Sequence, residues 1–143
     1  MESELKRANE LSYQWIIVMF HHPVYPVHTQ RVYTDLQEQW APLFDKYGVD
    51  LVLTGHDHAY MRTGKIFNHK PVADTAQGTV YVIINSSEKH YPAKYLPQTK
   101  VAIKDMPLYG KVDLSINSSG KAVLYFRAFN LDGKVVDEFT LEK

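Results

Sequence analysis

Apolar residues fall into short runs along this chain, and the runs change character near residue 59. Trp15-Ile16-Ile17-Val18-Met19-Phe20 is unbroken and β-branched in its middle, the pattern of a strand buried on both faces. Val49-Asp50-Leu51-Val52-Leu53 is a second such run. Between them, Thr34 or Asp35 caps a helix running to Tyr47, with Leu36, Trp40, Leu43 and Phe44 on its inner face. Pro42 interrupts that pattern, so it kinks the helix or marks a second helix start, and Gly48 is placed to stop it. Leu5, Ala8 and Leu11 make one apolar stripe, which predicts a helix over residues 2–11. Residues 23–33 carry two prolines and read as a loop.

Beyond residue 59 the chain reads mostly as strand. Segments 60–67, 79–84, 109–116, 121–129 and 134–141 alternate or run apolar, and 85–107 reads as a long loop with little regular structure. Asn117-Ser118-Ser119-Gly120 and Asn130-Leu131-Asp132-Gly133 are hairpin signals, because Asn and Gly accept positive φ. The predicted fold class is α/β, a parallel-type strand and helix segment followed by an antiparallel meander.

Composition narrows the partners more than the fold. Sixteen basic and sixteen acidic residues balance to zero among 143, so electrostatics suggest neither nucleic acid nor a membrane surface. No apolar run reaches spanning length, and the charged start Glu2-Ser3-Glu4-Leu5-Lys6-Arg7 reads as a solvated helix face without a signal-peptide core. The absence of cysteine removes disulfides and thiol catalysis, and leaves the compartment open.

Both buried runs end in histidine. The first delivers His21-His22-Pro23, and the second delivers Thr54-Gly55-His56-Asp57-His58. Sites in α/β folds form beyond the carboxyl ends of parallel strands, so four of the seven histidines are expected at one rim. On an extended backbone His56 and His58 point to the same face, and Gly55 lets the chain turn. Neutral imidazole is the commonest zinc ligand and also suits iron, so the pattern points to metal.

Phe20-His21-His22-Pro23, Trp40-Ala41-Pro42-Leu43-Phe44, Lys46 through Leu53 and Thr54-Gly55-His56-Asp57-His58-Ala59-Tyr60-Met61-Arg62 together resemble the calcineurin-like metallophosphoesterases. Within that superfamily they are most similar to purple acid phosphatases and their bacterial relatives. The closing meander, ending Asp137-Glu138-Phe139-Thr140-Leu141, also looks like that family's carboxyl end. The resemblance implies part of an αββα sandwich and metal-assisted hydrolysis of a phosphate ester by a dinuclear iron, zinc or manganese centre. By motif, His21 and His56 would bind one metal and His58 the other. His28, on the proline-bearing loop, matches a histidine that contacts phosphate and protonates the leaving group. An exposed loop histidine is the competing reading for His28; Arg62 reads first as an exposed or strand-paired arginine, with contact to a phosphate as the alternative.

The family's earlier motif blocks, which supply a bridging aspartate and an asparagine ligand, have no counterpart here. Residues 1–143 therefore read as a single partial domain, the carboxyl-terminal half of the catalytic domain. Two dications about 3.5 Å apart repel by roughly 20 kcal/mol at an effective dielectric near 20, and neutral histidines cannot offset that. Asp57 should face away from its flanking histidines, so it does not replace the missing anion. At most one metal is expected in this chain, with little or no activity alone. The implied partners are a phosphate ester, the missing amino-terminal half, or a second copy pairing through open strand edges. A non-catalytic metal- or phosphate-binding module is the alternative.

Overall fold

A computed structural model describes residues 1–143. Helix α1 (Glu2–Glu10) leads into strand β1 (Ile17–Met19), then a π-helical turn (Leu36–Trp40) runs directly into α2 (Ala41–Tyr47). Strands β2 (Leu51–Thr54), β3 (Tyr60–Phe67), β4 (Lys70–Pro71), β5 (Thr79–Ile83) and β6 (Thr99–Ile103) follow. The chain closes with β7 (Leu108–Ile116), β8 (Ala122–Asn130) and β9 (Val135–Glu142). Pro42 falls just past the π-helical turn, where the Ala41 N–H bonds back to the Leu36 carbonyl and the widened turn accommodates the proline ring at the start of α2. Gly48 ends α2 in the left-handed region at φ 64, and the Val49 N–H returns to the Phe44 carbonyl at 2.9 Å.

The first sheet runs β1-β2-β5-β3-β4, with β6 also paired to β3. β1, β2 and β5 are parallel, while β3 is antiparallel to β5 and β6. The second sheet is the antiparallel meander β7-β8-β9, turned by Gly120 and Gly133 at positive φ. Alternation on the central strands builds two cores. Val52 and Tyr81 face the helices with Leu5, Phe44 and Tyr25. Leu51, Val80 and Val82 face the meander and meet Leu124, Phe126 and Ala128. The result is a helix–sheet–sheet stack. Each fully buried Val, Leu or Phe contributes roughly 1.5–3 kcal/mol, so both interfaces are needed to hold β2 and β5 in place.

The two sheets are also clamped by charge. Asp137 on β9 accepts from Arg62 Nε at 2.7 Å and Nη2 at 2.9 Å, and from the Tyr60 hydroxyl at 2.6 Å. Arg62 is therefore a strand-held structural residue.

Two sequence expectations need correction. The run at 15–20 is a three-residue strand at the sheet edge, and Ile17 and Met19 are 36% and 79% exposed. Apolar sequence signals a need for burial, and on one side of β1 nothing in the chain supplies it. Segment 85–107 is not a structureless loop, because Thr99–Ile103 extends the sheet beyond β3. On the meander, Leu114 and Ile116 share a face with buried Leu124 and Ala122 yet are 55% and 57% exposed, so that end of the face lacks cover.

Candidate functional site

β1 and β2 stop together, and their parallel bonding continues for two residues beyond. The Phe20 N–H reaches the Leu53 carbonyl at 3.2 Å and the Gly55 N–H reaches the His21 carbonyl at 3.1 Å. That register places the rings of His21 and His56 against each other, Nε2 to Nδ1 at 2.9 Å. His22 lies beside them, its ring centre 4.2 Å from that of His56, with Tyr33 packed on His22 at 5.4 Å.

The backbone after β2 is not extended, contrary to the sequence expectation. His56 and His58 both adopt left-handed conformations, at φ 69 and φ 50. Such residues cost of order 1–3 kcal/mol each and gather at functional sites. Gly55 is not the strained position: a Cβ there would only touch the Ile84 carbonyl at 3.7 Å and His21 at 3.9 Å.

The two left-handed residues turn Asp57 inward. Its carboxylate is fully buried and receives the Val27 and His28 N–H groups at 2.6 and 3.0 Å on one oxygen. Arg31 Nη1 reaches the other oxygen at 2.8 Å and the His56 carbonyl at 3.0 Å. One aspartate thus fastens the whole proline-bearing loop to the histidine bend.

That loop is paired in turn with the segment after β5, through an antiparallel bridge between His28 and Ala93. The pairing brings Tyr91 between His28 and His58, at ring distances of 5.2 and 4.5 Å. The bonding partners set both tautomers. His58 Nδ1 donates to the Lys89 carbonyl at 3.0 Å, which leaves a lone pair on Nε2 as a metal ligand requires. His28 Nδ1 accepts from the Gln30 N–H at 3.2 Å, which leaves its proton on Nε2.

Burial first, and then the charge of Arg31, hold the His56 imidazole below its ordinary pKa and favour the neutral, ligating form. Lys89 and Arg31 stabilise the Tyr91 phenolate and lower that hydroxyl. A tetrahedral ion with bonds of about 2.0–2.1 Å separates two nitrogens by roughly 3.3 Å, so His21 and His56 fit one metal after a small opening. His58 faces Tyr91 and makes no ring contact with that pair. No three His, Asp or Glu side chains converge as a complete metal set. The donors fit a metal in chemistry and supply part of its shell. A cleft of about 590 Å³ opens beside His21 and His22, walled by Phe20, Leu36 and Trp40.

The structure thus joins His21, His22 and His56 in one group and His28, His58 and Tyr91 in another. His69 bonds Tyr25 at 3.1 Å instead. Sequence reasoning missed Arg31, Lys89 and Tyr91. The one available signal was the aromatic and basic content of Glu88-Lys89-His90-Tyr91, a few residues after an apolar strand.

Comparison with known proteins gives consistent findings. Residues 3–60 match the family Calcineurin-like phosphoesterase. Acid phosphatase type 7 of Homo sapiens is 30% identical, the match covering 96% of this chain and 37% of that protein. The Fe(3+)-Zn(2+) purple acid phosphatase 12 of Arabidopsis thaliana is 29% identical, covering 95% and 32%. This chain therefore spans about a third of the length of these curated relatives. Purple acid phosphatase PPD1 from yellow lupin (Lupinus luteus) seeds superposes at a TM-score of 0.67 and 22% identity, over 98% of this chain and 27% of that one. GAP50, described as the anchor in the inner membrane complex of Plasmodium, superposes at 0.75 and 20% identity, over 98% and 40%.

Proposed function

We propose, on the premise that this chain is a relative of the calcineurin-like phosphoesterases, that its histidine rim is one side of a metal-dependent phosphoesterase site. The observation that carries this reading is the 2.9 Å contact between His21 and His56 at the carboxyl ends of two parallel strands. His21 and His56 hold one metal, and His58 offers its free Nε2 to a second. Iron, zinc or manganese suits these nitrogens, and the relative from Arabidopsis is named for iron and zinc. A metal held there supplies positive charge to the phosphate oxygens and lowers the pKa of water.

The remaining steps belong to this chain's own residues. Asp57 fixes the loop so that His28 Nε2–H stands beside His58 and Tyr91, where it donates a hydrogen bond to a phosphate oxygen and holds the ester in place. The cleft walled by Phe20, Leu36 and Trp40 receives the organic part of the ester.

The ligand set is completed from outside these 143 residues, by an amino-terminal portion of the same catalytic domain. Support comes from the exposed edge of β1, from the exposure of Leu114 and Ile116, and from the greater length of the relatives. A second copy is the other cover for that flank, and sedimentation distinguishes it by mass. The competing reading is a non-catalytic binding module, favoured by the lack of a three-residue metal set.

Hydrolysis of p-nitrophenyl phosphate separates the two. The full-length protein loaded with iron and zinc turns over, and loses turnover on His56→Ala, while this chain alone does not. An inert, metal-loaded full-length protein overturns the enzymatic reading.

A further inference from the structure

Two cations converge on one exposed-edge aromatic ring beside the histidines. The Arg31 guanidinium carbon and Lys89 Nζ lie 5.1 and 4.9 Å from the Tyr91 ring centre, so they are no more than about 10 Å apart. Their surroundings differ. Arg31 is half neutralised by buried Asp57 through Nη1, and otherwise meets only the neutral Tyr91 hydroxyl. Lys89 forms no ion pair, although its own carbonyl is fixed by His58. The only carboxylate in contact with the group is Asp57, and it faces inward with its oxygens occupied.

A ring can hold one cation by its quadrupole alone. Two cations at one ring, without a carboxylate between them, repel each other and have only a neutral phenol to share. An anion relieves both defects, and phosphate suits the planar fork of arginine and the point charge of lysine. The group adjoins the histidine bend, where Arg31 Nη1 donates to the His56 carbonyl at 3.0 Å. A substrate with a second phosphate group next to the one hydrolysed brings an anion to these cations.

We propose that Arg31, Lys89 and Tyr91 form a second phosphate subsite, which selects substrates carrying another phosphate group next to the one hydrolysed, such as a diphosphate or bisphosphate. The substrate part of this inference rests on the phosphoesterase reading above. Anion binding by the three residues does not.

The test uses this chain, metal-free, in low salt, titrated with inorganic pyrophosphate and with inorganic phosphate. NMR follows the Arg31 Nε–H and the Lys89 and Tyr91 amides. Pyrophosphate is expected to move these signals and to bind at least about fivefold more tightly than phosphate. Lys89→Ala costs pyrophosphate about tenfold and phosphate about twofold, in line with the loss of one charge-assisted contact, and Lys89→Arg restores most of it. Lys89 is exposed and its backbone bond survives truncation, so the variant folds. Equal affinity for the two anions, signals that move elsewhere or not at all, or an unchanged ratio in Lys89→Ala overturns the subsite. Zinc binding at His21 and His56 is read in a separate titration, and its failure counts against the phosphoesterase reading alone.

Discussion

Asp57 holds His28 by the backbone: its buried Oδ2 accepts the His28 N–H at 3.0 Å, across twenty-nine positions of sequence. The same oxygen accepts the Val27 N–H, and Arg31 occupies the other. The aspartate between two proposed ligands thus acts as a positioning residue for a third histidine. Asp57→Ala strands two buried donors and an arginine, which costs about 3 kcal/mol. Asp57→Asn costs nearly as much, since its NH₂ must face either the two amides or Arg31. Urea unfolding measures both. A loss below about 1 kcal/mol in both variants contradicts the anchoring role.

Strain and glycine content separate along the histidine bend. Gly55→Ala meets only ordinary contacts, so stability changes by less than about 0.5 kcal/mol. Gly48→Ala places a Cβ in the left-handed region and costs about 1 kcal/mol. His56→Asn keeps a residue that tolerates that region, so the fold stays intact while zinc binding is lost. Thermal melts with and without zinc report all three. A collapse of Gly55→Ala refutes this assignment of strain.

Much of this was legible from residues and some was not. The rim formed by His21 and His56 was readable, because each follows a buried-strand run and parallel strands end together. The inward turn of Asp57 was readable too, though the reason given for it, an extended backbone, was wrong. Left-handed φ at His56 and His58 leaves no mark on residue type. Arg31, Lys89 and Tyr91 meet only through the pairing of His28 with Ala93, a long-range bridge that no local pattern encodes. The edge position of β1 was hidden for a different reason. Apolarity states that a strand needs cover, and not whether the same stretch of chain provides it.

Asp137 joins β9 to β3 through a bidentate Arg62 and the Tyr60 hydroxyl. Removing the carboxylate leaves a largely buried guanidinium unpaired, so Asp137→Ala costs roughly 3 kcal/mol. The double variant Asp137→Ala with Arg62→Met recovers a good part of it, by removing the orphaned charge. A double variant as unstable as the sum of the singles contradicts the clamp.

His56 gives the fold a pH dependence of known sign. Its folded pKa is lowered by burial and by Arg31, so the folded chain takes up this proton less readily than the unfolded one. Its contribution is fully present above the ordinary value of 6.5 and is lost as pH falls through the lowered folded value. Urea midpoints between pH 7.5 and 5 therefore decline more steeply in the parent chain than in His56→Asn. Identical slopes exclude His56 as the source.

Metal stoichiometry tests the central claim most directly. The chain, purified without a histidine tag, is dialysed against zinc, iron and manganese in turn and analysed for metal. The account predicts at most one ion per chain, abolished by His56→Ala, because the anion that would hold two dications together lies outside these residues. Two ions per chain, retained through dialysis, would contradict it and mark the 143 residues as a self-sufficient dinuclear site.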